Sequence, residues 1–562
     1  MRIHFTTITL VIACLFLSSR SFSQISQQVN DELSSIHGNF QFDGQYYRPD
    51  SAIGAPYVPE KMLSNAFGQV SYTRGKFSAG GRYESYNNVM QGFDKRYKGQ
   101  GIVNRYMRYK TNLLDITVGN FYEQFGSGLT LRAYEERGLL YDNSIDGIRI
   151  ISNPIKGITI KGLTGKQRSF FTIGPGIVRG FDGEVNINDL FDSVLGNKKT
   201  KVILGGSFVG KYQQDQDPVY NLPENVGVFA GRMNLTRGGF NLYTEYASKN
   251  NDPSFQNNLS YHDGEAFFLS TSYATKGFAI LLQGKRIDNM SFRSDRDASL
   301  QNLMINYLPA TTKQHTYLMP AYYPYATQPN GEIGGMGEIQ FKVPRNSILG
   351  GHYGMDVTIN FSVAHGLKEH YLHDTAYGRN FYSAEWGAVG EQYYHDFFIE
   401  INKKFTKKWK MTALYSNQFY NKNMVQFGSD NAGYNNINSN IGVLDITYKY
   451  KSSSAIRLEL QGLFTKSDPL HPTIANGSWG VGMLEWTPNS HWFVAVLDQY
   501  NYGNSNPAMQ LHYFLGSVGY TKDAHRISIS YGKQRAGIFC VGGVCRNVPA
   551  SNGLSVSITT SF

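Results

Sequence analysis

The 562-residue chain carries 59 Gly, 39 Tyr and 35 Phe, only 17% charged residues and a formal net charge of +10. Its length would allow several soluble domains, but so much Gly and Tyr with so little charge departs from the composition of ordinary soluble enzymes. The single long apolar run lies at the start, which excludes a helical membrane protein, and in an exported chain the basic balance points to anionic lipid or polysaccharide neighbours, not nucleic acid.

Residues 1–23 read as a secretory signal peptide. Arg2 supplies the positive flank, Phe5 to Leu17 the apolar run, and Ser21 and Ser23 the small residues before a cut at Gln24. "VIAC" (11–14) hints at a lipoprotein cut, but the apolar run continues past Cys14 as "LFL", which disfavours one. Residues 24–37 then form a short periplasmic segment, and residues 38–562 a single domain.

From "NFQFDGQYY" (39–47) onward one unit recurs: about ten alternating residues, a tight polar turn, and a second alternating segment. The short turns include "TRGK" (73–76), "NPIKG" (153–157), "TRGG" (236–239), "TKG" (275–277) and "TKDAH" (521–525). Longer polar stretches separate the hairpins, among them 48–64, 211–224, 288–334, 366–392 and 534–552. Regular alternation of short and long connections is the habit of a membrane barrel, with short periplasmic turns and long outer loops. The fold expected is all-β: one transmembrane antiparallel up-and-down barrel of about 24 strands, closed because lipid tolerates no open sheet edge. Its location is then the bacterial outer membrane, where its surroundings are lipid and lipopolysaccharide and its assembly depends on the barrel-insertion machinery.

Alternation assigns the faces. In "IRLELQGLF", Ile456, Leu458, Leu460 and Phe464 alternate with Arg457, Glu459 and Gln461. In "LDITYKY", Leu444, Ile446 and Tyr448 alternate with Asp445 and Thr447. Read this way, Arg82, Glu84, Asp115, Arg232, Glu245, Lys285, Asp445, Arg457 and Glu459 face the lumen, which is therefore wet or laced with ion pairs. Aromatic residues cluster at the short turns, including Phe77, Tyr109, Phe240, Phe278, Trp409, Trp486 and Trp492, as a girdle at one membrane interface would require.

Three stretches break the rhythm. "YEQFGSGLTLRAYEERGLLYDN" (122–143) gathers Glu123, Arg132, Glu135, Glu136, Arg137 and Asp142 without clean alternation and could fold inward as a constriction. Adjacent Glu135 and Glu136 would point to opposite faces of a strand, which disfavours a glycosidase pair. The connection 288–334 is far beyond ordinary loop length; "ASLQNLMINYL" (298–308) within it has the spacing of a short helix, and the whole could enter the mouth, dock a partner or cap the barrel. "KEHYLHD" places His370, His373 and Asp374 close enough to suggest a zinc site only if the segment were helical and a further ligand were found.

Near the end, Cys540 and Cys545 in "GIFCVGGVCRN" would form a small disulfide loop in an oxidising compartment. The last residues, "GLSVSITTSF", alternate again; Leu554, Val556, Ile558 and Phe562 resemble the terminal signal by which outer-membrane barrels are recognised for insertion.

"GKQRAGIFCVGGVCRNVPASNGLSVSITTSF" (532–562), "GNFYEQFGSGLTLRAYEERGLLYDNSIDGIRI" (119–150) and "LPATTKQHTYLMPAYYPYATQPNGE" (308–332) together resemble an uncharacterised family of outer-membrane barrels of Bacteroidetes, a domain of unknown function. The resemblance implies fold and location, and no activity. Two functions are compatible with it: a large polar channel for hydrophilic solutes, gated or plugged by its loops, and a scaffold or accessory subunit of an outer-membrane assembly or protein-secretion complex. No catalytic motif, cofactor or metal ligand set is expected, and strand-like alternation begins too early for a plug domain to precede it.

Overall fold

In a computed structural model the structure describes residues 34–371, 382–428, 432–470, 473, 475–541 and 544–562. The expected signal peptide and most of the expected periplasmic segment lie outside the described residues.

Twenty-four strands form one antiparallel sheet, each paired with its neighbours in sequence. The first, Ser35–Tyr47, begins a few residues before the point the alternation suggested. It pairs with the last, Ser551–Ser561, in continuous register from Asn39 opposite Ser561 to Tyr47 opposite Gly553. The sheet is thereby a ring with no edge, the condition for crossing hydrocarbon.

The outward faces are those that alternation assigned. Ile456, Leu458, Leu460 and Phe464 are exposed on Ser454–Thr465, and Ile527, Ile529 and Tyr531 on His525–Gln534. With no helices among the described residues to cover this apolar exterior, lipid is the medium that matches it. At the short-turn rim Phe77, Tyr109, Phe240, Phe278, Phe405, Trp409, Trp486, Trp492 and Phe562 are exposed, forming the interfacial girdle. The protein is an integral outer-membrane-type β-barrel. Among the described residues no helix is long and apolar enough to cross a membrane.

Three expectations are corrected. The rule of alternating loop lengths fails at 170–171, a two-residue turn on the long-loop side between Ile158–Ser169 and Thr172–Asn186. It fails again on the short-turn side at 187–199, which holds the short helices Ile187–Leu190 and Asp192–Leu195, and at 344–354. The stretch 366–392 is not a loop throughout: Met355–Tyr371 and Tyr382–Lys404 extend far into it. Strand pairing beyond the membrane needs no apolar alternation, and the register there slips between Ala364 and Glu369, so periodicity gives no sign of it. Residues 298–308 are not helical; Leu300 and Leu303 adopt positive φ values of 56° and 55°, which break any helical run.

Candidate functional site

The ends of the connection between Phe278–Asp288 and Gly331–Val343 are held together, because Asp288 pairs with Gly331 across the two strands. The residues between them cannot leave as an extended arm and instead fold into the barrel. Lys285 Nζ lies 2.7 Å from Glu332 Oε1, with both side chains buried. Glu332 Oε2 also accepts from Tyr325 Oη and from Gln328 N, each at 2.7 Å, and Lys285 donates to the carbonyl of Pro309 at 2.8 Å. Together these contacts fasten the segment to the wall at Pro309 and at Tyr325 and Gln328.

Between its ends the segment crosses the lumen. Gln167 Nε2 and Asn143 Nδ2 donate to the carbonyl of Met304 at 2.7 and 2.8 Å. Fifteen residues further along the same segment, Met319 N donates to Gln461 Oε1 at 2.8 Å. Gln167 and Gln461 lie on the seventh and nineteenth strands of the ring, twelve apart in a barrel of twenty-four. The segment therefore bridges opposite walls. Further bonds fix it to the far wall: His315 Nε2 is 2.5 Å from Asp396 Oδ2, Gln418 donates to the carbonyl of Pro320 at 2.8 Å, and Tyr317 Oη donates to Asp445 at 3.2 Å.

Apolar packing backs these polar contacts. Met319, Tyr322, Tyr323 and Tyr325 pack with Tyr394, Tyr420, Trp479 and Tyr513 of the wall in one buried cluster, and Met290, Phe292, Ile305 and Leu308 join a second cluster on the other side. Burial pushes the phenols of Tyr322, Tyr323 and Tyr325 upward, so they remain neutral.

The segment 122–144 also turns inward, as its broken alternation suggested. Phe125, Leu129 and Leu131 are buried, and Ser127 N donates to Glu245 Oε2 at 2.7 Å. Arg132 N bonds the carbonyl of Ile305 at 2.9 Å, and its guanidinium lies 4.0 Å from the ring centre of Tyr307. The two inward segments thus support one another.

Of the predicted lumen charges, all but Glu245 stand in ion pairs, and Glu245 is held by hydrogen bonds. Arg82 bonds Glu84 and Glu135, each at 2.8 Å, and also Asp142; Arg168 completes the group at 2.5 Å from Glu84 and 2.7 Å from Asp142. Asp142 sits on the inward segment. Burial alone would raise its carboxyl, but the guanidinium groups of Arg168 and Arg82 outweigh this and hold it below the ordinary range. Asp115 pairs with Arg108 and, at 3.4 Å, with Arg149. Arg232 pairs with Asp182 at 2.7 Å and Glu184 at 3.2 Å. Glu245 accepts from Tyr243 Oη at 2.5 Å, and Arg457 joins Asp445, at 2.9 Å, to Glu459.

Sequence reasoning missed Arg168, Glu332 and Asp396. A register irregularity between Lys166 and Arg168 hides which face Arg168 takes. Asp396 carried a usable signal, because it alternates with the outward Phe397 and Ile399.

The outer connection 535–550 holds the hairpin Gly537–Val541 and Val544–Val548, in which Cys540 stands opposite Cys545. From this connection Arg546 donates to the carbonyls of Gly138, at 3.0 Å, and Gly92, at 3.3 Å, in outer connections of the first strands beyond the closing seam. Arg535 lies 4.0 Å over the ring of Tyr322. Cavities of about 340, 440 and 730 Å³ remain beside the inward segments. Of the histidine group, His370 is on a strand, 2.6 Å from Glu385 Oε1, while His373 and Asp374 lie outside the described residues. No cluster of metal-binding side chains occurs among the described residues.

Comparison with family models gives a match over residues 3–562. The chain belongs to the family of unknown function DUF6029. The comparison with curated proteins finds no match. Among solved structures, the P pilus usher (PapC) translocation pore is similar at 9% identity and a TM-score of 0.44, over 94% of this chain and 99% of that one. The siderophore receptor PirA from Pseudomonas aeruginosa is similar at 9% identity and 0.38, over 96% and 82%. The outer membrane protein opdK from Pseudomonas aeruginosa is similar at 9% identity and 0.35, over 94% and 99%. At these values nothing known of those proteins transfers to this DUF6029 member.

Proposed function

We propose that this DUF6029 barrel is a gated outer-membrane conduit for hydrophilic solutes, closed at rest by its own 289–330 segment. A ring of this many strands encloses far more space than its wall side chains fill, so an inserted segment decides whether it conducts. The observation that carries the reading is the bridge from Gln167 through Met304 and Met319 to Gln461. The walls behind the bridge are charged and hydrogen-bonded, as befits a passage for hydrated solutes once it moves aside.

Planar-bilayer recording tests this reading. Because Asp288 and Gly331 are strand partners, a short Gly-Ser turn can replace residues 290–329 without breaking the ring. The intact protein should be nearly silent and the shortened one should give large, stable conductance steps. Large steps from the intact protein, or silence from the shortened one, would overturn it.

The second reading is a scaffold or accessory subunit of an outer-membrane assembly or secretion complex. The bonded bridge favours it, since a barrel tied from wall to wall by its own segment has the rigidity of a platform. A shortened barrel that stays silent, with partners recovered by pull-down from native membranes, would support this alternative.

A further inference from the structure

The outward face of the ring is not apolar throughout. On the fourth strand, Gly99–Lys110, Arg105 alternates with the exposed Met107 and Tyr109, so its side chain leaves the barrel on the lipid side. On the sixth, Ile145–Ser152, Asp146 shares the outward face of Ile148 and Ile150. On the seventh, Ile158–Ser169, Lys166 shares the face of the exposed Ile160, while its neighbour Gln167 is the inward residue that holds Met304. On the eighth, Thr172–Asn186, Arg179 stands with the exposed Phe181, and Val178 and Asp182 are buried on the inner face.

Strand register gathers these four residues into one patch. Arg105 Nη2 reaches over the fifth strand to Asp146 Oδ2, at 3.0 Å. Asp146 stands opposite Lys166, and Lys166 opposite Ile177, so Arg179 is the diagonal neighbour of Lys166 on the same face, about 7–8 Å away. The patch holds three cations and one carboxylate, and Arg105 occupies that carboxylate. Arg105 and Lys166 lie three strands apart, about 14 Å.

Height follows from the turn above. The seventh and eighth strands join at residues 170–171, on the side where long loops face outward, and Lys166 lies four residues before that turn. The patch is therefore in the outer leaflet, just below its headgroups, where long cationic side chains extend upward to them. The outer leaflet of such a membrane is lipopolysaccharide, whose lipid anchor is a disaccharide with a phosphate toward each end. Cations beside hydrocarbon are stabilised by a fixed counter-charge, and guanidinium and ammonium groups bond phosphate strongly.

We propose that this patch binds one bis-phosphorylated glycolipid of the outer leaflet, with one phosphate on Arg105 and the other on Lys166 and Arg179. The site rests on the outer-membrane location alone, so conductance has no bearing on it.

Native mass spectrometry of the full-length protein in detergent tests the site. The probe is lipid A carrying both phosphates. The same lipid A stripped of its phosphates is the neutral match, and phosphatidylglycerol the anionic lipid without a disaccharide. Lipid A with both phosphates should bind tighter than either comparison lipid by about tenfold or more. Lys166→Gln with Arg179→Gln should weaken that binding by about tenfold, and Arg105→Gln should weaken it as well. Unchanged heat-modifiable gel mobility will show that each barrel is intact. Lys407→Gln with Lys408→Gln removes the same charge from the short turn between Tyr382–Lys404 and Trp409–Tyr420, and should leave binding unchanged. Equal binding of either comparison lipid, unchanged binding by either folded patch variant, or an equal loss in the short-turn variant would overturn the proposal. So would a dimer of barrels that the patch substitutions dissociate, since a second copy would then cover this face.

Discussion

Lys285 and Glu332 form a buried ion pair, Nζ to Oε1 at 2.7 Å, at the point where the lumen-crossing segment leaves the wall and returns to it. Glu332 is at once the partner of Lys285 and the acceptor for Tyr325 and Gln328 of that segment. Removing one member leaves a buried charge uncompensated, at a cost of about 3–5 kcal/mol. Glu332→Gln should therefore loosen the segment while leaving the ring assembled. We expect frequent brief openings in bilayer recordings and faster amide exchange in residues 309–328, with no change in heat-modifiable mobility.

The Arg82–Glu84–Asp142–Arg168 group predicts a pH response. The Asp142 carboxyl titrates below its ordinary value of 3.8 because Arg168 and Arg82 favour its charged form against burial. A depressed carboxyl stabilises the fold above its unfolded value and loses that contribution only as pH falls through the lower folded one. Protection of residues 130–144 against proteolysis should thus be unchanged from neutral pH down to about pH 5 and fall only in stronger acid. Asp142→Asn should weaken protection already at neutral pH, since two guanidinium groups then share one fewer carboxylate.

The closing seam joins Gly38 to Phe562 by two backbone bonds of 3.0 Å. A Cβ on Gly38 would overlap the Phe562 ring, so Gly38→Val forces the terminal aromatic out of place. Deleting Phe562 removes one side of the same contact. Both changes should lower the amount of assembled barrel in the outer membrane, read by heat-modifiable gel mobility of membrane fractions. Normal levels for the deletion would count against Leu554, Val556, Ile558 and Phe562 as an insertion signal.

Cys540 and Cys545 stand opposite one another in an antiparallel hairpin, a register that suits a cross-strand disulfide. We expect intact-mass analysis under non-reducing conditions to find no free thiol in the mature chain. Cys545→Ser should loosen only the outer hairpin, seen as local proteolysis between 535 and 550, with the barrel assembled as before. Loss of the whole protein would mean that the hairpin braces far more than itself.

The ring was legible in the sequence because lipid and water impose opposite demands on alternate residues. Ile456, Arg457, Leu458 and Glu459 can be assigned to faces from order alone, and the register opposite Ile446 and Asp445 agrees. What was hidden lies where that demand lapses. Inside the barrel, residues 289–330 meet water, charge and aromatic wall in no fixed period, so Leu300 and Leu303 mimicked a helix the backbone does not form. The partners of each charge were likewise hidden: Glu84 finds Arg168 from a strand four places round the ring, across a register slip. Outside the membrane, the long pair Met355–Tyr371 and Tyr382–Lys404 is held by backbone bonds and pairs such as Lys368 with Glu385, at 3.0 Å, and read as loop.

The most direct test is where Met319 lies in a living outer membrane. A benzophenone amino acid installed in place of Met319, activated by light in intact cells and followed by peptide mass analysis, should cross-link within the chain to strands Trp409–Tyr420 through Trp479–Thr487. Cross-links to lipopolysaccharide or to other proteins, with none to those strands, would show that the segment does not cross the lumen.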